Sequence, residues 1–251
     1  MTDTRQRIRQ AFAAAAPAYD RVAGLQRLVC HQLLGVVHRP PPARLLDAGC
    51  GTGYARHLLR GRWPLTEWVG CDFAAPMLVG QAPAVCADLT ALPFVDASFD
   101  LYWSSLAWQW CEAQTAAREA ARVLSPGGTL ALSTLLPGTL AELEDAFAGL
   151  DGHRHVRRFA PLTEILAALA AAGITQRHCH RRRIVRWVPD VASLLRELRT
   201  LGAGTVEGRR RSLLGKVGWR TLVARYERHR QPCGLPVTWE ILLCTARKPG
   251  S

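Results

Sequence analysis

Apolar residues recur at helical spacing through the first part of the chain and then gather into short runs between turn residues, and this change of rhythm divides the sequence. Residues 5–38, with Ile8, Phe12, Leu25, Leu28 and Leu33 on the apolar positions, predict a helical arm interrupted near Pro17. After the break at Pro40-Pro41-Pro42, a short apolar strand over 44–48 runs into a glycine-rich turn and a helix from about 54 to 60. Further strands are expected at 67–71, 84–87, 99–103 and 129–133, with a helix over 115–123 stopped by Ser125-Pro126-Gly127-Gly128. Helical patterns return at 139–149 and 161–172, followed by β-like stretches at 174–183 and 238–246. Strands alternating with helices imply an α/β fold, a mostly parallel sheet with helices on both faces. The expected division is an N-terminal helical arm (1–40), a core (41–188 and 235–251), and an Arg-rich helical lid or insertion (189–234) before the last strand.

Composition narrows the class. With 251 residues, 49% hydrophobic and 21% charged, the chain suits one α/β domain with an insertion and excludes a disordered protein. The first residues are charged, and no apolar run reaches the length of a membrane span, so a cytoplasmic protein without membrane contact is expected. Eight cysteines stand at 30, 50, 71, 86, 111, 179, 233 and 244 without zinc spacing, which predicts buried free thiols. A net charge of +12 favours an acidic partner. The excess is nearly all Arg, with Lys only at Lys216 and Lys248, in a chain also rich in Ala, Leu and Gly, so a compositional bias accounts for it equally well.

The chemistry concentrates at residues 45–53. Asp47, Gly49, Gly51 and Gly53 alternate where a strand turns into a helix, a place where the backbone bends tightly and a ligand approaches without a Cβ in its way. A dinucleotide fingerprint would want a third glycine where Tyr54 stands. Asp72 ends the second predicted strand and Asp88 the third, so three acids converge on one crevice. The bend resembles the motif of class I S-adenosylmethionine-dependent methyltransferases, a family with a Rossmann-like seven-stranded sheet ending in an antiparallel hairpin. The resemblance implies S-adenosylmethionine as cofactor. Asp47 would meet its ammonium, directly or through water, Gly49, Gly51 and Gly53 its amino-acid part, and Asp72 with Phe73 its ribose. Asp88 with Leu89 would meet its adenine, and Ser104 would close the site from the fourth strand.

Around the fourth strand, Ser104-Ser105-Leu106-Ala107-Trp108-Gln109-Trp110-Cys111 carries neither the Asn/Asp/Ser-Pro-Pro-aromatic sequence of amino-methylating nucleic-acid enzymes nor a Pro-Cys nucleophile. Pro232-Cys233 lies before the last strand and reads as a turn. In His178-Cys179-His180, strand alternation sends Cys179 away from the two histidines, so no metal site is expected.

Scattered segments resemble the malonyl-acyl carrier protein O-methyltransferase family of early biotin synthesis. They begin with Ala11-Phe12, Tyr19-Asp20, Ala23 and Leu25-Gln26-Arg27, and continue through Trp103-Ser104, Gln109-Trp110-Cys111, Ser133-Thr134-Leu135, Gly138-Thr139-Leu140 and Glu142-Leu143. They resume at Arg158-Phe159, at 198–204 and at Leu235-Pro236-Val237-Thr238-Trp239. Only about fifteen residues separate Asp72 from Asp88, which leaves room for only a very short helix beside the adenine pocket. The resemblance implies methyl transfer to the free carboxylate of malonyl-acyl carrier protein. That group is ionised at neutral pH and needs no general base. Arg158 would hold the carboxylate, Tyr19 would hydrogen-bond near the reacting groups, and Gln109 and Trp110 would line the acceptor side. Arg181-Arg182-Arg183 and Arg209-Arg210-Arg211 would receive the carrier, or else are solvated faces. The alternatives are carboxyl methylation of malonyl-coenzyme A or a free small acid, and, from another class, an RNA-binding protein on the same fold. No nucleic acid and a monomer are expected.

Overall fold

Leu45 and Leu46 are neighbours in one strand, yet they enter different hydrophobic cores, because successive side chains on a strand point to opposite faces. The computed structural model describes residues 3–203 and 215–250. It begins with helix α1 (Asp3–Ala15), a turn at Ala16–Ala18 that holds Pro17, α2 (Tyr19–Val22) and α3 (Gly24–Val36). The core then runs β1 (Arg44–Ala48), α4 (Tyr54–Arg62), β2 (Glu67–Asp72), β3 (Ala84–Cys86), β4 (Phe99–Ser105), α5 (Ala113–Val123) and β5 (Leu124–Leu135). It continues with α6 (Ala141–Phe147), α7 (Leu162–Ala171), β6 (Gln176–Val188), α8 (Val191–Thr200), α9 (Lys216–Glu227) and β7 (Leu235–Arg247).

The seven strands form one sheet in the order β3-β2-β1-β4-β5-β7-β6. β1 to β5 pair in parallel, and β7 runs antiparallel to both β5 and β6. Strand order reverses between β1 and β4, and that reversal opens a crevice at the carboxyl ends of these strands. On one face, Leu25, Val29 and Leu33 of α3 pack with Leu45, Leu101 and Trp103 of the sheet and with Leu222 and Tyr226 of α9. On the other, Ala116, Ala117 and Ala120 bring α5 close to Leu46, Tyr102, Leu130 and Leu132. No helix among the described residues is long and apolar enough to cross a membrane.

Several boundaries differ from the sequence reading. α5 ends at Val123 as expected and passes straight into β5 at Leu124, so that strand starts earlier than 129 and takes in Ser125-Pro126-Gly127-Gly128. β6 continues past residue 183 to Val188, held by a ladder to β7 from Gln176↔Arg247 to Val188↔Leu235. It is an outer strand, so its free positions are charged and hydropathy does not mark its end. Between β2 and β3 there is a single 3-10 turn, Ala75–Leu78, in keeping with the short spacing of Asp72 and Asp88. Arg209-Arg210-Arg211 lies outside the described residues.

Candidate active site

Gly49, Gly51 and Gly53 all adopt positive φ, at 80°, 54° and 85°. At Gly49 a Cβ would stand 2.3 Å from that of Ala107, so only glycine lets the bend pass beneath the loop after β4. The bend is pinned from below. The N–H groups of Gly49 and Cys50 both donate to the Cys71 carbonyl, at 2.7 and 3.0 Å. Asp72 accepts from the Gly51 N–H at 3.0 Å and from the Ala74 N–H at 2.9 Å. Gln81 donates to the Gly51 carbonyl at 2.8 Å and packs against Gly53.

A cavity opens above this bend, walled by Gly49, Gly51, Asp72, Phe73, Met77, Asp88, Leu89, Ser105, Leu106, Ala107, Trp110 and Cys111. Arg5, Ile8, Phe12 and Tyr19 of the arm close it from above. Phe12 sits edge-on to Phe73 and to Trp110, with ring centroids 6.0 and 5.1 Å apart. The Arg5 guanidinium donates to Asp88 Oδ1 at 2.7 Å, and Thr90 donates to the same oxygen. Asp20 accepts from the Thr52 hydroxyl at 2.7 Å, which ties the arm to the glycine bend.

Burial shapes the electrostatics. Asp47, 1% exposed near the end of β1, has its carboxyl pushed up to about 7 by burial, against the lowering effect of the Trp68 indole N–H beside it. Burial also raises the Asp72 carboxyl, against the lowering effect of its backbone donors. It raises the Tyr19 phenol further above neutral pH, and it pushes the Cys111 thiol up to about 12.

A second cavity adjoins the first across Cys111, lined by Gln109, Thr134, Arg157, Arg158 and Glu164 among others. Arg157 lies over the Trp110 ring at 4.5 Å, linking the two spaces. Arg158 is exposed at the rim of the second cavity.

Comparison with known proteins follows this geometry. Residues 46–132 match a family model described as a methyltransferase domain. The chain is 41% identical over 249 residues to the malonyl-[acyl-carrier protein] O-methyltransferase of Dechloromonas aromatica, covering 98% of this chain and 95% of that one. The chain belongs to the malonyl-[acyl-carrier protein] O-methyltransferase family. A second member of that family, from Herminiimonas arsenicoxydans, is 40% identical over 97% of this chain and 96% of its own. Among solved structures, the YcgJ protein from Bacillus subtilis shares the fold at a TM-score of 0.59 and 18% identity, covering 89% of this chain and 98% of that one. Together with the strand order, this gives the Rossmann-like methyltransferase fold.

Within this family member, the cavity gathers Tyr19, Gly49, Gly51, Asp72, Phe73, Asp88, Leu89 and Trp110 of the residues singled out from sequence. Others stand elsewhere. Asp47 lies buried at the end of β1, outside the cavity wall. Gly53 starts α4 against Gln81, off the cavity. Ser104 is fully buried and donates to the Ala48 carbonyl at 2.7 Å, while its neighbour Ser105, on the opposite face of β4, lines the cavity. Gln109 and Arg158 belong to the second cavity. Asp88 ends no strand, since β3 stops at Cys86. Sequence reasoning missed Arg5, Phe12, Gln81 and Arg157, whose places depend on contacts between distant segments. For Phe12 there were two signals, its helical spacing with Ile8 and its place beside Ala11 in the family resemblance.

Proposed function

We propose that this chain transfers the methyl group of S-adenosylmethionine to the free carboxylate of a malonyl group on acyl carrier protein, acting as a cytoplasmic monomer at an early step of biotin synthesis. One observation carries the reading: three glycines at positive φ bend the chain beneath a cavity walled by Gly49, Gly51 and Asp72, with the buried Asp47 carboxyl below it to meet an ammonium group through water. The bend also suits such a ligand, because a Cβ on Gly51 would meet no atom within 4 Å and this space stays open to the cofactor. When bound, the cofactor supplies an electrophilic methyl group on a sulfonium.

The chain's own residues supply position and dryness. Asp72 faces the ribose hydroxyls, while Phe73, Met77 and Leu89 form the apolar wall for the adenine. Tyr19, in the cavity roof, offers an O–H near the acceptor oxygen. Gln109 and Arg158 hold the acceptor in the second cavity, where a guanidinium fixes a carboxylate in two-point geometry. The carboxylate arrives ionised, so no residue has to remove a proton. A cation and an anion neutralise each other in the reaction. Closure by Phe12 and Trp110 therefore favours the transition state over the hydrated ions.

Incubation with methyl-labelled cofactor and malonyl-acyl carrier protein should yield a base-labile methyl ester on the carrier. Tight cofactor binding without any labelled carrier would overturn the reading. Arg158→Ala should raise KM for the malonyl carrier at least about tenfold while leaving cofactor affinity within about twofold. Equal losses in both would remove Arg158 from the acceptor side.

A further inference from the structure

At the far side of the sheet, two thiols meet that methyl transfer does not use. Cys179 of β6 and Cys244 of β7 are directly opposed in the antiparallel ladder, and their Sγ atoms lie 2.8 Å apart, sharing a thiol hydrogen bond. Directly opposed residues in such a ladder have Cα separations within the range a disulfide spans. Both side chains belong to the face that packs toward α5 and α7, while His178 and His180 line a cleft on the other face. The two thiols are not equivalent. Cys244 is fully buried and Cys179 half-buried. The shared hydrogen bond, helped by the Arg177 guanidinium, holds the Cys179 thiol below its ordinary value. The same bond and burial push Cys244 up. A half-buried thiol therefore stands directly against a fully buried one.

We propose that Cys179 and Cys244 form a redox-active dithiol that closes to a cross-strand disulfide with a two-electron oxidant of the peroxide class. The Cys179 thiolate attacks one peroxide oxygen and the O–O bond breaks. The departing hydroxide takes up the proton that Cys179 released, giving water and a sulfenic acid on Cys179. Cys244 sulfur then attacks Cys179 sulfur, the S–O bond breaks, and the hydroxyl leaves with the Cys244 proton as a second water. In sum, two thiols and one peroxide give one disulfide and two waters, the sulfurs losing the two electrons that the peroxide gains. The bond would join positions 65 residues apart and tie together the two strands between which α8 and α9 emerge.

The exposed Cys86 and Cys233 serve as internal competitors. Reduced full-length protein is treated with one equivalent of hydrogen peroxide, alkylated and mapped by mass spectrometry. The expected result is a loss of about 2 Da in a 179–244 cross-linked peptide, reversed by dithiothreitol and formed about tenfold faster than oxidation at Cys86 or Cys233. Cys244→Ala should leave a dimedone-reactive sulfenic acid on Cys179, and Cys179→Ser should leave Cys244 unoxidised. Because Cys244 sits in the core, both variants are first checked for native circular dichroism, and the wild-type mapping decides the matter even if one fails to fold. Oxidation that falls first on Cys86 or Cys233, or sulfinic acid on Cys179 with Cys244 still a free thiol, would overturn the proposal.

Discussion

A methyl group added at Gly49 would meet Ala107 at 2.3 Å on a backbone with φ of 80°, whereas one added at Gly51 meets nothing within 4 Å. The two glycines thus separate packing from ligand access. Gly49→Ala should lower stability by about 2–4 kcal/mol in urea melts, from steric overlap and left-handed strain together. Gly51→Ala should cost only about 1–2 kcal/mol of strain yet remove most cofactor affinity. A larger stability loss at Gly51 than at Gly49 would contradict this division. Asp47 gives a pH signature. Its folded-state carboxyl is raised from 3.8 to about 7, so its contribution to the free protein's stability is present below the unfolded value and declines as pH rises through about 7. Asp47→Asn should flatten that decline. Pairing with a cofactor ammonium reverses the preference, so binding near pH 6 should release a proton, read as buffer-dependent heat in calorimetry; identical heats in all buffers would refute the pairing. The bend itself was legible because its three positive-φ glycines fall in one short stretch of sequence, although Cys71, Asp72 and Gln81 pin it from elsewhere. Ser105 was not, because choosing between Ser104 and Ser105 requires knowing which face of β4 the cavity occupies.

The arm acts as one element. α1 lies across the cavity through Arg5, Ile8 and Phe12, and Tyr19 follows at the start of α2. Its attachment by Arg5 to Asp88 is partly exposed, with side chains 33% and 25% accessible, so the pair contributes at most about 1 kcal/mol. The apolar roof contributes more. Deleting residues 1–15 should therefore weaken cofactor binding at least about tenfold with the sheet's circular dichroism unchanged, while Arg5→Ala should change it only about two- to fivefold. If both changes weakened binding equally, the ion pair and not the roof would be the fastening. Apolar spacing announced the arm as helical, but its landing place on Phe73 and Trp110 is a long-range contact that local pattern does not encode. The same limit explains β6, whose length comes from its ladder with β7 and not from its own hydropathy.

At the scale of the molecule, the net charge of +12 acts on encounter with any acidic partner. KM for the malonyl carrier should rise several-fold between about 50 and 300 mM salt, while a small uncharged-carrier malonyl thioester shows little change. Equal salt dependence for both would mean that surface charge plays no part in docking. The alternation of strands and helices made the sheet legible from the sequence, since parallel strands joined by helices have few ways to close around two cores. It left open how charge is distributed, because a run of arginines reads the same on a docking face as anywhere else. β6 shows one such placement: it lies at the margin of the sheet, separated from β1 by β4, β5 and β7. Arg177, Arg181, Arg182, Arg183 and Arg186 stud its 13 residues; Arg183 is paired to Glu240 and Arg186 to Glu197, which leaves net positive charge along it. Among the described residues no strand pairs with its outer edge; a border of that length is a template on which a stray strand from another molecule would assemble, and like charges along it repel such a copy. Replacing these arginines with valines would turn a quiet border into a seed for aggregates.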